Sequence, residues 1–129
     1  MASANARRAA AVLRDRTRTN RAAATARRSI AQAARRVRTG ARSLATHIIA
    51  TGTTHDAATI KAVSAGLRTA AKKAGIKGRR ARIRRSATGP RNIVKTVYRY
   101  TRDQVAQLAA AYKPRKAECK ALRAALLAA

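Results

Sequence analysis

The chain of 129 residues has no Phe and no Trp, and its tyrosines are Tyr98, Tyr100 and Tyr112. Modules that read single-stranded nucleic acid stack successive bases on several exposed aromatic rings. Three tyrosines are too few for such a platform, which argues against an RRM-like or OB-like reader. Cys119 is the only cysteine, and the histidines are His47 and His55. One thiol and two distant imidazoles build neither a disulfide framework nor a zinc site. A reduced, intracellular setting is the expectation. No apolar run approaches the length of a membrane span, and no secretory h-region is present. The first forty residues are rich in Arg, Ala, Ser and Thr, as an organellar transit peptide is. The same bias continues through the rest of the chain, which argues against that reading.

Acid is scarce as well. Asp15, Asp56, Asp103 and Glu118 are the complete set, and they are scattered. Three of them sit where a helix cap or local charge balance accounts for them. His47 and His55 have no carboxylate or cysteine at a useful spacing. Cys119 has Lys116, Lys120 and Arg123 for neighbours, but the plainer reading is a small packed residue. "GIKGRR" lacks the spacing of a phosphate-binding loop. No enzyme, cofactor, metal, small-molecule substrate or membrane partner is expected.

Against those four acids stand 31 Lys and Arg, for a net charge of +27. Self-repulsion at that level opposes compactness unless a counter-charge answers it. Duplex DNA is the first expectation and structured RNA the second, ahead of acidic membrane surfaces. Arginine dominates over lysine, and its planar fork suits phosphate. A GC-rich genome also favours Arg over Lys, but it does not remove acid.

Residues 1–40 carry only Val12, Leu13, Ile30 and Val37 as branched aliphatics. This reads as a basic arm. Arg7, Arg14, Arg21, Arg28, Arg35 and Arg42 recur every seventh residue, so on a helix they form one slowly drifting stripe. The other side carries Ala9, Val12, Leu13, Ala23, Ala26, Ile30, Ala33, Ala34 and Val37, a thin apolar face. Thr17, Thr19 and Asn20 interrupt the pattern, so two helices (about 3–15 and 20–39) fit as well as one. Gly40 is a natural stop. Chance spacing in an arginine-rich tract also produces such a stripe.

Residues 41–129 read as a small folded domain. "ARSLATHIIAT" predicts a short helix closed by Gly52. The next helix runs over about 54–74, with Thr53 and Asp56 in the spacing of a capping box. Ile60, Val63, Leu67, Ala71 and Ala74 lie on its inner face, and Gly75 and Ile76 stop it. "KGRRARIRR", residues 77–85, packs six cations into nine residues. Arg80, Arg82 and Arg84 alternate with Ala81 and Ile83, the period of a strand with one face packed. "SATGPR" predicts a turn, and "NIVKTVYRY" a second strand with Val94, Thr96, Tyr98 and Tyr100 on one face. The hairpin is expected to pack one side on the helix and to present Arg80, Arg82 and Arg84, with Lys95 and Arg99, on the other. Thr101 and Gln104 predict a capping box for a helix that Pro114 ends. A last helix, about 115–128, turns Ala121, Leu122, Ala125 and Leu126 inward.

The fold class expected is therefore α+β and mainly helical, an arm followed by a helix–β-hairpin–helix domain. A helix followed by a basic hairpin resembles the helix-plus-wing order of winged-helix proteins. That resemblance is one of element order and does not establish function. A non-winged α+β domain with the same charged surface fits the same elements. On the helix, Lys61, Arg68 and Lys72 share a face at spacings of seven and four. Around the hairpin, Lys77, Arg79, Arg85 and Arg91 join the candidates already named. Lys113, Arg115 and Lys116 form a further basic cluster at a helix start, where backbone amides favour phosphate. The helix pair they join has the outline of a helix-turn-helix but lacks the usual turn glycine.

Together these features predict a non-enzymatic DNA-binding protein of low sequence specificity that neutralises phosphates, of the nucleoid, architectural or phage type, in the cytoplasm or nucleoid. Two alternatives share the pattern: a ribosomal or other structured-RNA-binding protein, and a virion structural protein whose arm faces packaged nucleic acid. No motif selects among them.

Overall fold

The computed structural model describes residues 3–53, 56–84 and 94–129, with the side chain of Arg84 left out. Five helices and one antiparallel hairpin follow in the order α1 (Ala4–Arg38), α2 (Leu44–Ala50), α3 (Ala57–Ala74), β1 (Arg79–Arg84), β2 (Val94–Arg99), α4 (Arg102–Ala111) and α5 (Ala117–Ala128). The chain is a mainly helical α+β protein, as the periodicities indicate. Among the described residues no helix is long and apolar enough to cross a membrane.

α1 is one continuous helix of 35 residues, about 52 Å long, where two helices fitted the sequence equally well. The threonines expected to interrupt it satisfy themselves within it. Thr17 Oγ1 donates to the Leu13 carbonyl, and Thr19 Oγ1 to that of Asp15, each at 2.9 Å. A hydroxyl bonded to the preceding turn no longer competes for the backbone. Ser3 caps the start, and Arg35, Arg36 and Arg38 occupy the last turn, where the helix dipole favours cations.

The core lies among α2, α3, α4 and α5. Ile48, Val63, Leu67, Leu108 and Leu122 are its fully buried large side chains, with Leu44, Tyr100, Val105, Cys119 and Leu126 around them. α1 reaches this body only through its C-terminal turns. Ala33 is buried, and Ile30 and Val37 are half-buried. Ile30 lies over Gly52, where a Cβ would stand 3.7 Å from its side chain. Val12 and Leu13 of the expected apolar face are more than 60% exposed, so among the described residues that face finds no partner in the distal half of α1. In α5, Leu122 and Leu126 turn inward as expected and Ala125 is half-buried, but Ala121 is exposed; Ala74 of α3 is exposed as well.

Two of the predicted helix boundaries rest on the expected atoms and one does not. Thr101 and Gln104 form a complete capping box at α4. Gly75 adopts φ +70°, and the Ile76 amide bonds the Ala71 carbonyl at 3.0 Å. That six-to-one bond closes the helix and turns Ile76 back onto the core. At the start of α3, however, the cap is Asp56, not Thr53. Its carboxylate accepts from the amides of Ala58 and Thr59 and from the Thr59 hydroxyl. Those bonds, the hydroxyl's first, lower its pKa below the ordinary 3.8. Aspartate is the stronger cap because its charge also meets the positive end of the helix.

Gly66 sits mid-helix against the ring of Tyr112, where an added methyl would lie 2.9 Å from Cζ and 3.0 Å from Cδ2. In an open helix, Gly to Ala gains about 1 kcal/mol. Here the clash reverses the sign. Gly66→Ala is expected to lose about 1–3 kcal/mol of stability, the usual range for overpacking, as read by urea denaturation. A gain in midpoint would show that the ring moves aside freely.

Candidate nucleic-acid interface

The six heptad arginines divide five to one. Arg7, Arg14, Arg21, Arg28 and Arg35 are exposed along α1. Measured from Ala33, the centre of the packed side, Arg28 and Arg35 are turned by about 140° and 160° to the same side of the axis. Where α1 packs, the stripe therefore points away from the body, and it drifts by about 20° per heptad toward Arg7. Arg42 lies beyond the helix and turns back on it: Nε donates to the Arg36 carbonyl at 3.0 Å and Nη2 to Thr39 Oγ1 at 3.4 Å. It closes the C-terminus of α1, a role that no heptad count reveals.

The acids keep clear of this stripe. Asp56 caps α3, Asp103 and Glu118 occupy the first turns of α4 and α5, and Asp15 lies about five turns before Ala33 on the packed side of α1. Each of the first three sits where a helix dipole welcomes a negative charge.

On α3, Lys61, Arg68 and Lys72 are exposed, opposite the buried Val63, Leu67, Ala70 and Ala71. Between them lie the small exposed residues Ala62, Ala65 and Thr69. Lys113, Arg115 and Lys116 are exposed in the link between α4 and α5. That link spans five residues, 112–116, longer than a helix-turn-helix turn.

The hairpin departs from expectation. Its register pairs Arg79 with Arg99, Arg80 with Tyr98, Ala81 with Val97, Arg82 with Thr96, Ile83 with Lys95 and Arg84 with Val94. Opposed residues share a face, so Arg80 and Arg82 stand with Thr96 and Tyr98. Lys95 and Arg99 fall on the other face, beside Arg79, Ala81 and Ile83. That face was expected to pack on the helix. With three cations it cannot be buried cheaply: Ala81, Val97 and Arg99 near the root are half-buried, but Ile83 is 40% exposed. The ribbon instead projects from its root. Arg85 and Arg91, the "SATGPR" turn and His55 lie outside the described residues.

The root is firmly held. Arg42 and Tyr100 exchange backbone bonds of 2.9 and 2.8 Å, forming a one-residue third strand beside β2. The Tyr100 carbonyl takes a second bond, 2.8 Å from Nε2 of the buried His47. Tyr100 itself is buried, with its ring over Gly78, where a Cβ would meet it at 3.0 Å. Gln104 Nε2 adds a bond to the Lys77 carbonyl at 3.3 Å.

His47 makes this root sensitive to acid. Burial, above all, lowers its pKa from the ordinary 6.5, against the opposing pull of its backbone bonds. The unfolded chain therefore binds the proton more readily than the folded one. The contribution to stability is complete above pH 6.5 and is lost as pH falls through the folded value. A melting temperature that declines below that point, and declines less in His47→Gln, is the expected result. Asp56 acts in a separate window, below its ordinary 3.8.

A groove of about 800 Å³ runs between β2, the end of α3 and the start of α2. It gathers Arg68, Lys72, Lys77 and Lys95 around a mainly apolar floor that includes Leu44, Ala71 and Val97. Four of the predicted cations thus meet at one place, whereas those of α1 are strung along its length. No known family model, curated protein or solved structure matches this chain.

Proposed function

We propose that this is a non-enzymatic nucleic-acid-binding protein that neutralises the phosphates of duplex DNA with little sequence preference. The observation that carries the reading is the arginine stripe of α1, exposed along its whole length, turned away from the packed side where the helix meets the body, and with no acid along it. Arg80 and Arg82 on the projecting ribbon and Lys61, Arg68 and Lys72 on α3 add further phosphate contacts. The order α1, Arg42 bridge, α2, α3, β1, β2 supports a winged-helix-like placement, with α3 toward a groove and the hairpin against the backbone. Small side chains between the α3 cations permit close approach. Asn and Gln side chains that would read adenine do not cluster there, which supports an architectural role over operator recognition.

Fluorescence anisotropy against labelled duplex across a salt series tests this. With about six to ten phosphates neutralised, affinity falls roughly three to five orders of magnitude between about 50 and 200 mM salt. Structured RNA that displaces the duplex about tenfold better at equal salt would transfer the reading to a ribosomal or other RNA-binding role. A stable higher assembly without nucleic acid, seen by light scattering, would transfer it to a virion component.

A further inference from the structure

The groove beside β2 has a property that phosphate binding leaves unused: it borders an open strand edge. Tyr100 directs both its N–H and its C=O outward, to Arg42. Along an antiparallel strand these groups alternate sides from residue to residue. Tyr98 and Thr96 therefore direct theirs outward as well, away from β1. The next partners along the Arg42 segment do not exist as a strand, because Ser43 caps α2 and Leu44 begins it. The third strand is thus cut off after one residue. The groove lies at that point: Ser43, Leu44 and Ala45 form one wall and β2 another, while among the described residues none of β1 lines it.

We propose that this groove takes an extended acidic segment of a partner protein, added as a strand to the open edge of β2. Two features select that occupant. The edge offers alternating donors and acceptors, which a peptide backbone satisfies in full; a phosphate chain has acceptors only and leaves the carbonyls of Thr96 and Tyr98 unanswered. The rim carries Arg68, Lys72, Lys77 and Lys95 with no acid among the lining residues, so acidic side chains on the segment meet opposite charge, and its alternate apolar side chains face the floor. A second copy of the chain does not qualify, since its four acids are isolated from one another. This inference does not depend on DNA being the ligand of the arm.

The test uses the full chain and three labelled decapeptides in about 0.5 M salt, where screening suppresses long-range attraction. The first alternates Glu and Val. The second has the same sequence with alternate amides N-methylated, which blocks strand pairing but keeps charge and side chains. The third is all glutamate. The alternating peptide is expected to bind at least about tenfold tighter than either control. Thr96→Pro, which removes one outward N–H at an edge position that tolerates proline, is expected to reduce that preference several-fold while leaving duplex binding within twofold or so. Binding that follows charge alone, with the N-methylated peptide equal to its parent and the all-glutamate peptide as tight or tighter, overturns the proposal, whatever Thr96→Pro does to the fold. So does a single-stranded oligonucleotide that displaces the alternating peptide from the groove and itself depends on the Thr96 amide. Absence of duplex binding by the unmodified protein bears on the proposed function and leaves this result standing.

Discussion

Replacing Arg7, Arg14, Arg21 and Arg28 together with alanine is expected to weaken duplex binding roughly a thousandfold at about 0.1 M salt, and to lower the salt slope by about 3.6. All four are exposed on the part of α1 that projects from the body, so their removal takes no support from the core. Each arginine that neutralises a phosphate releases counterion, and the releases add because the sites are two turns apart. The same variant should gain helicity when free: alanine is the better helix former, and four repelling charges have gone. Weaker binding together with a more stable helix separates a ligand contact from a folding defect. The control keeps composition constant by exchanging each arginine with a nearby alanine on another side of the axis: Arg7 with Ala9, Arg14 with Ala11, Arg21 with Ala23 and Arg28 with Ala26. If the moved set binds as tightly as the stripe, only net charge matters and the ordered row has no function. Anisotropy over a salt series reads both variants.

How much of this was legible beforehand depends on the reach of each signal. The inner face of α3, its Gly75 stop and the Thr101–Gln104 box are written within a turn or two of chain, and the periodicities reveal them. The strands were legible for the same reason, since alternation needs only neighbours. Their register was not, because it depends on a turn whose length no local pattern sets, and a slip of one residue exchanges the faces. Lys95 and Arg99 accordingly lie opposite to where they were expected. Arg42 belonged to the heptad row by spacing alone. Its backbone partner is Tyr100, 58 residues on (a pairing that follows from packing), and its guanidinium closes α1. The groove was invisible for a related reason: Arg68, Lys72, Lys77 and Lys95 come from three stretches that meet only when Arg42 and His47 fix the hairpin root. The continuity of α1 follows from threonine hydroxyls turned back on the helix, a choice of rotamer that the residue type leaves open.

Two truncations should diverge sharply, and they locate where α1 stops being a free arm. Removing residues 1–26 takes away only turns whose side chains are almost all exposed. Urea stability is expected to stay within about 0.5 kcal/mol, as for surface changes in general, while duplex binding falls with the loss of Arg7, Arg14 and Arg21. Removing residues 1–40 takes in addition Ile30 from above Gly52, the buried Ala33 and the half-buried Val37. It also deprives the Arg42 guanidinium of both its partners, the Arg36 carbonyl and the Thr39 hydroxyl. At about 1.5–3 kcal/mol for a fully buried aliphatic side chain, with partial burial here, the expected cost is about 2–4 kcal/mol. α2 is only seven residues long and cannot hold itself by hydrogen bonds alone; without α1 across it, the support for His47 and the hairpin root weakens too. If the longer deletion leaves stability unchanged, Gly40 divides arm from domain and the contacts of Ile30, Ala33 and Val37 contribute little. If the shorter one unfolds the protein, the distal turns of α1 have a partner in the fold, and the exposed arginine stripe loses its standing as a free surface.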